Sequence, residues 1–125
     1  MTKEYNGYWK YSSPEERYDP IKVRKLDLEN WKQFAANMTP LYAELERLDE
    51  NGVCYAGCIL GAFRHAMGNP LNLDNNGHFT LMEAQHFGFN YETILKIENV
   101  SDWHVGQGHG WDDIWPDVER LIKVT

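Results

Sequence analysis

From Leu28 onward, apolar positions recur at helical spacing, and capping residues mark where each stretch begins. Asp27 as an N-cap predicts a helix from about Leu28 to Asn37. Thr39 as N-cap and Pro40 at the first helical position predict a second helix through Leu41, Ala43, Leu45 and Leu48. Asn51-Gly52 is its stop signal. Residues 53–67 are apolar nearly all round, the pattern of a helix buried in the middle of a domain. Gly57 and Gly61 fall on one face of that helix. A mid-helix glycine costs up to ~1 kcal/mol relative to alanine, so the pair predicts a second backbone packed closely there. Gly68, Asn69 and Pro70 end the segment.

Thr80 and Glu83 have capping-box spacing and predict a short helix through Leu81, Met82 and Phe87, closed by Gly88. Asn90 predicts the cap of another, carrying Tyr91, Ile94, Leu95 and Ile97. Residues 99–111 read as a glycine-rich loop. Ile114, Trp115, Val118, Leu121 and Ile122 form the apolar stripe of a last helix, with Pro116 expected near its first turn. Residues 1–26 lack helical periodicity and are punctuated by Gly7, Ser12, Ser13, Pro14 and Pro20. The predicted fold is mainly α. It is a compact single domain of five or six short helices (residues 27–125) around the central buried helix 53–67. An extended basic and aromatic N-terminal arm (residues 1–26), with one short strand at Ile21–Leu26, precedes it.

Composition narrows the class. At 125 residues with 42% hydrophobic content, the chain is long enough to bury a real core and too apolar for disorder. Two cysteines make no disulfide framework. No apolar stretch follows Met1, and the longest apolar run, Val53 to Phe63, is too short to span a bilayer. The expectation is cytoplasmic location, or host cytoplasm for a phage protein, with no membrane partner. The net charge of −7 is unevenly spread. Between His65 and Glu119, Lys96 is the only formal positive charge against nine carboxylates. That half disfavours direct nucleic-acid binding and suits a basic protein surface as partner.

The stretch Cys58-Ile59-Leu60-Gly61-Ala62 resembles the Cys-x-Leu-Gly-x-Leu-type helix of small helical proteins of unknown function found in bacteriophages and bacteria. The later succession also resembles them: an Ile-rich helix, Asn99, a loop to Trp111, then a terminal helix opening with Ile114 and Trp115. In those proteins an Asn-Asp-x-Gly loop precedes that helix. Here no Asp follows Asn99 and the loop is longer. The resemblance covers about residues 40–123. It implies a compact helical fold and a phage or bacterial origin, and it carries no activity to transfer.

Three patterns bear on chemistry. Residues 72–83 place Asn72, Asp74, Asn76, Gly77, His78, Phe79 and Glu83 at the positions of an EF-hand calcium loop. Its first ligand position holds Asn rather than Asp, which leaves two carboxylates, and Pro70 interrupts the entering helix. An Asn-Gly turn followed by a capped helix is the competing reading. Cys54, Cys58 and His65 share a stripe if 53–67 is one helix, but four zinc ligands are wanted and no second pair is evident. A cysteine near a helix start, with His104 or His109 and Asp112 downstream, has the outline of a small cysteine hydrolase, though the residues around Cys54 and Cys58 do not match that class. The loop carrying Trp103, His104, His109, Trp111, Asp112 and Asp113 has the residue types of a recognition surface. The leading expectation is therefore a non-enzymatic acidic interaction protein, a phage-encoded modulator of a host protein, needing no cofactor. A calcium-binding module and a cysteine hydrolase are the alternatives.

Overall fold

The computed structural model describes residues 19–74 and 77–125, so most of the expected N-terminal arm, and Asn76 of the expected calcium loop, lie outside the described residues. Among the described residues the fold is mainly helical, with five helices and two small sheets. The order is β1 (Ile21–Val23), α1 (Lys25–Ala36), β2 (Thr39–Pro40), β3 (Arg47–Leu48), β4 (Cys54–Gly57), α2 (Ile59–Ala66), α3 (Leu81–Phe87), α4 (Tyr91–Gly106), α5 (Trp111–Glu119) and β5 (Ile122–Val124).

The expected strand at the end of the arm forms as β1, which pairs in parallel with β5, Ile21 opposite Ile122 and Val23 opposite Val124. The first helix begins earlier than Asp27 predicts. Arg24 is its N-cap residue, and Asp27 instead accepts two hydrogen bonds from the Arg24 guanidinium at 2.8 and 3.2 Å. Leu26 lies in α1, and residues 21–23 are tied to the C-terminal strand.

Two helical expectations give way to strands. Residues 39–48 form β2, a connection and β3, with Ala43 held at φ +52°. The segment 53–67 divides at Cys58: β4 runs parallel to β2 and antiparallel to β3, and α2 starts after Cys58. Periodicity alone does not separate a strand from a buried helix in a short apolar run. The stripe Cys54–Cys58–His65 therefore does not exist. The expected close backbone approach does exist: a Cβ built on either Gly57 or Gly61 overlaps the carbonyl oxygen of Leu45. The Cys58 amide also donates to the Glu44 carbonyl at 2.7 Å, so the β2–β3 connection lies directly on the β4–α2 corner.

The caps of α3 and α4 are as expected. Thr80 and Glu83 form a complete capping box, Gly88 closes α3 at φ +74°, and Asn90 accepts from the Thr93 amide. Residues 99–106, expected as loop, continue α4. Pro116 is the sixth residue of α5, deeper than expected. Its ring removes a bond to the carbonyl of Asp112, a residue at the surface.

Helix α2 is buried from Ile59 to Arg64. Trp31 of α1 is fully buried, edge-on to Phe63 at 4.8 Å and to Trp115 at 5.1 Å. Its indole N–H donates to the Ile59 carbonyl at 2.8 Å, so the largest core side chain leaves no buried donor unpaired. Among the described residues, no helix is long and apolar enough to cross a membrane.

Candidate functional site

The α4–α5 corner holds most of the polar chemistry expected of residues 103–113. On α4, the buried positions after Ile97 are Glu98, Val100, Ser101 and His104, a helical stripe that continues in polar residues. The chain then turns through residues 107–110, with Gly108 at φ +78° and the His109 amide bonded to the His104 carbonyl at 2.9 Å. Gly110 precedes the first residue of α5. This turn sets His109 against His104, and α5 brings Asp117 to the other side of the same ring.

His104 is fully buried. Its Nε2 lies 2.7 Å from Asp117 Oδ2 and its Nδ1 lies 2.8 Å from His109 Nδ1. An ionised carboxylate only accepts, so His104 Nε2 carries a proton toward Asp117. With His104 neutral, its Nδ1 then accepts from His109 Nδ1–H, and Nε2 of half-buried His109 ends the chain as an acceptor. Trp103 packs its ring edge-on to both histidines, at 5.0 and 5.7 Å. Trp111 faces elsewhere: its indole N–H donates to the Met38 carbonyl at 2.9 Å, pinning the start of α5 to the connection between α1 and β2. Asp112 and Asp113 are exposed in the first turn of α5. Trp103, His104 and His109 are thus brought together, while Trp111 anchors the corner and the two aspartates face solvent.

Asp117 was missed by sequence reasoning, and the signal was available. It is a carboxylate next to Val118 within the apolar stripe of an amphipathic helix, and such a group needs a buried partner. A second buried network was also missed. Arg64 is fully buried and donates to both carboxylate oxygens of Glu83, at 2.7 and 2.6 Å, and to Glu46 at 3.2 Å. Glu46 also meets His65 Nε2 at 3.1 Å.

Of the residues expected to bind calcium, the described ones have these surroundings. Glu83 is taken up by Arg64 and by the Thr80 amide at 2.9 Å. His78 faces Glu98 at 3.4 Å. Asp74 lines an open cleft with Glu44, Arg47 and Tyr55, and Asn72 sits at φ +54° beside a loop held by the Asn69 side chain. Among the described residues, no group of three or more His, Cys, Asp or Glu side chains is arranged to hold a metal ion.

Both thiols are free and buried. Burial pushes Cys58 up to about 12, against smaller opposing effects of the Gly61 and Leu60 amides. Cys54 is also raised by burial, and its thiol donates to the Ala56 carbonyl at 3.3 Å. Among the described residues, no hydrogen bond joins either thiol to a histidine. Near Cys58, burial raises Asp102 to about 6, and Asp102 accepts the Ala43 amide at 2.8 Å.

No family model, curated protein or solved structure matches the chain.

Proposed function

We propose that the protein is a non-catalytic binding module that recognises a basic protein surface through its acidic side. One observation carries this reading. Lys96, the only lysine or arginine between His65 and Glu119, is buried at 5% exposure, whereas Asp74, Glu92, Asp112 and Asp113 from the same stretch are exposed. The outward charge of that stretch among the described residues is therefore purely negative. An unopposed field of one sign attracts a partner of the other and speeds its approach. In the same reading, residues 19–125 act as one domain arranged around α2, with the α4–α5 corner as a rigid mount for Asp112 and Asp113. The resemblance to phage and bacterial proteins supports looking for the partner in a bacterial host.

The test compares wild type with a variant carrying Glu92→Lys, Asp112→Lys and Asp113→Lys. These positions are exposed, so the fold should persist, as checked by circular dichroism. Wild type should retain a basic host protein that elutes with rising salt, and the reversed variant should lose that protein while keeping its melting temperature. Identical retention by both would overturn the reading.

A further inference from the structure

A cavity of about 310 Å³ opens between β1, the start of α1, and the α2–α3 side of the core. Its apolar lining is Val23, Phe63, Met67, Phe87 and Phe89. The three phenylalanines form one aromatic wall: Phe63 is 4.9 Å from Phe87 and 5.4 Å from Phe89, and Phe87 stacks on Phe89 at 5.6 Å. The polar residues of the lining are Lys22, Arg24 and Asp27. Arg24 and Asp27 neutralise each other through their two hydrogen bonds. Lys22 has no carboxylate partner among the described residues, and its register partner on β5 is another exposed lysine, Lys123. Like charges directly opposite on a small sheet are unfavourable, so among the described residues two exposed ammonium groups stand together beside an apolar hollow.

From this geometry we propose that the cavity is a binding site for a small amphipathic carboxylate. The apolar part of the ligand, about the size of a phenyl ring with a short chain, lies against Phe63, Phe87 and Phe89. Its carboxylate meets the Lys22 ammonium at the mouth. The volume is at the lower end of ordinary small-molecule sites, which run from roughly 300 to 1,000 Å³. Burying a ring there gains from area and from edge-to-face contacts, while the charge supplies selection. A cationic ligand is repelled by Lys22 and Lys123, and a neutral polar one finds no charged partner at the mouth. This site is separate from the acidic side, and it would stand if the protein-binding reading failed.

The experiment titrates 3-phenylpropionate, and separately its primary amide, into the full chain while following backbone and aromatic NMR signals. The acid should give saturable shifts centred on Val23, Phe63, Phe87 and Phe89. The amide should bind about fivefold more weakly, the range of a partly solvated charge pair. Lys22→Met, at an exposed position, should leave the fold intact and reduce the acid to the affinity of the amide. Three results would each overturn the proposal: no saturable shift with acid up to ~10 mM, the weak limit for a small ligand; equal binding of acid and amide; or discrimination unchanged in Lys22→Met.

Discussion

Gly61 of α2 packs directly on the carbonyl oxygen of Leu45, in the position a side chain would fill. The obstructing atom belongs to a backbone that is itself bonded to the corner through Glu44 and Cys58, so it has little room to move. Gly61→Ala should therefore destabilise, even though alanine improves the intrinsic helix propensity by up to ~1 kcal/mol. An overpacked core site costs typically 1–3 kcal/mol, so a net loss on the order of 2 kcal/mol in denaturant unfolding is expected. Gly106→Ala is the matched control. There the added methyl meets the Tyr42 ring at 3.9 Å, an ordinary contact, and stability should be unchanged or slightly higher. A stable Gly61→Ala protein would show that the Leu45 carbonyl is not fixed.

The Glu83 carboxylate should matter without any metal. Glu83→Gln removes the charge of an acid bonded twice by fully buried Arg64, while its remaining oxygen can still accept the Thr80 amide of the capping box. Breaking one side of a buried ion pair typically costs about 3–5 kcal/mol because the other charge is left in a dry environment. The loss should appear at full size in chelator, measured by chemical denaturation. A loss seen only with calcium present would instead return Glu83 to a metal-binding role.

Asp102 gives a pH dependence whose sign is fixed by the direction of its shift. An unfolded Asp titrates near 3.9, and in the fold burial raises Asp102 to about 6, so the folded state holds the proton more tightly. The associated stabilisation is complete below about pH 4 and is lost as pH rises through about 6. Asp102→Asn keeps an oxygen for the Ala43 amide and does not titrate. Its stability relative to wild type should rise between pH 4 and pH 7 and then level off. The rise should be on the order of 1 kcal/mol, discounted because part of the carboxyl group is solvated. Unfolding midpoints of both proteins across that range decide it, and parallel curves would mean that Asp102 ionises without penalty.

What could be read from the sequence follows from which signals are local. The caps Thr80, Glu83 and Asn90 act within one turn, and α3 and the start of α4 form where they specify. The stripe Ile114, Trp115, Val118 was legible because apolar spacing alone defines it. The end of α4 was not. Its inward positions 101 and 104 hold Ser101 and His104, and a hydropathy pattern reads such residues as surface although both are fully buried. Residues 39–48 were misread because Leu41, Leu45 and Leu48 have helix-like spacing, yet Leu45 alone of the three is buried. Their backbone is held by pairing with β4, a long-range constraint with no local marker. For the candidate site, the histidines were visible in the sequence. Their partner Asp117, and the Arg64–Glu46–Glu83 network, join separate elements that only the tertiary fold brings together.

The Asp117–His104–His109 chain predicts a definite tautomer, because its geometry leaves few choices. Two ring nitrogens 2.8 Å apart share one proton between them, His104 Nδ1 and His109 Nδ1. Asp117 at 2.7 Å fixes a proton on His104 Nε2. With both rings neutral, His104 must be the Nε2–H form and His109 the Nδ1–H form. Long-range nitrogen–proton NMR correlations distinguish these forms directly. In Asp117→Asn the amide oxygen can keep accepting from Nε2–H, or the amide can rotate to donate to Nε2, which moves the His104 proton to Nδ1. His104 would then donate to His109 Nδ1, and His109 would carry its own proton on Nε2. The two tautomers should therefore change together or not at all, with faster hydrogen exchange across residues 107–110 in either case as the corner loses a charge-assisted bond. A change confined to His104, with His109 unaltered, would show that the two rings are neighbours rather than a hydrogen-bonded chain.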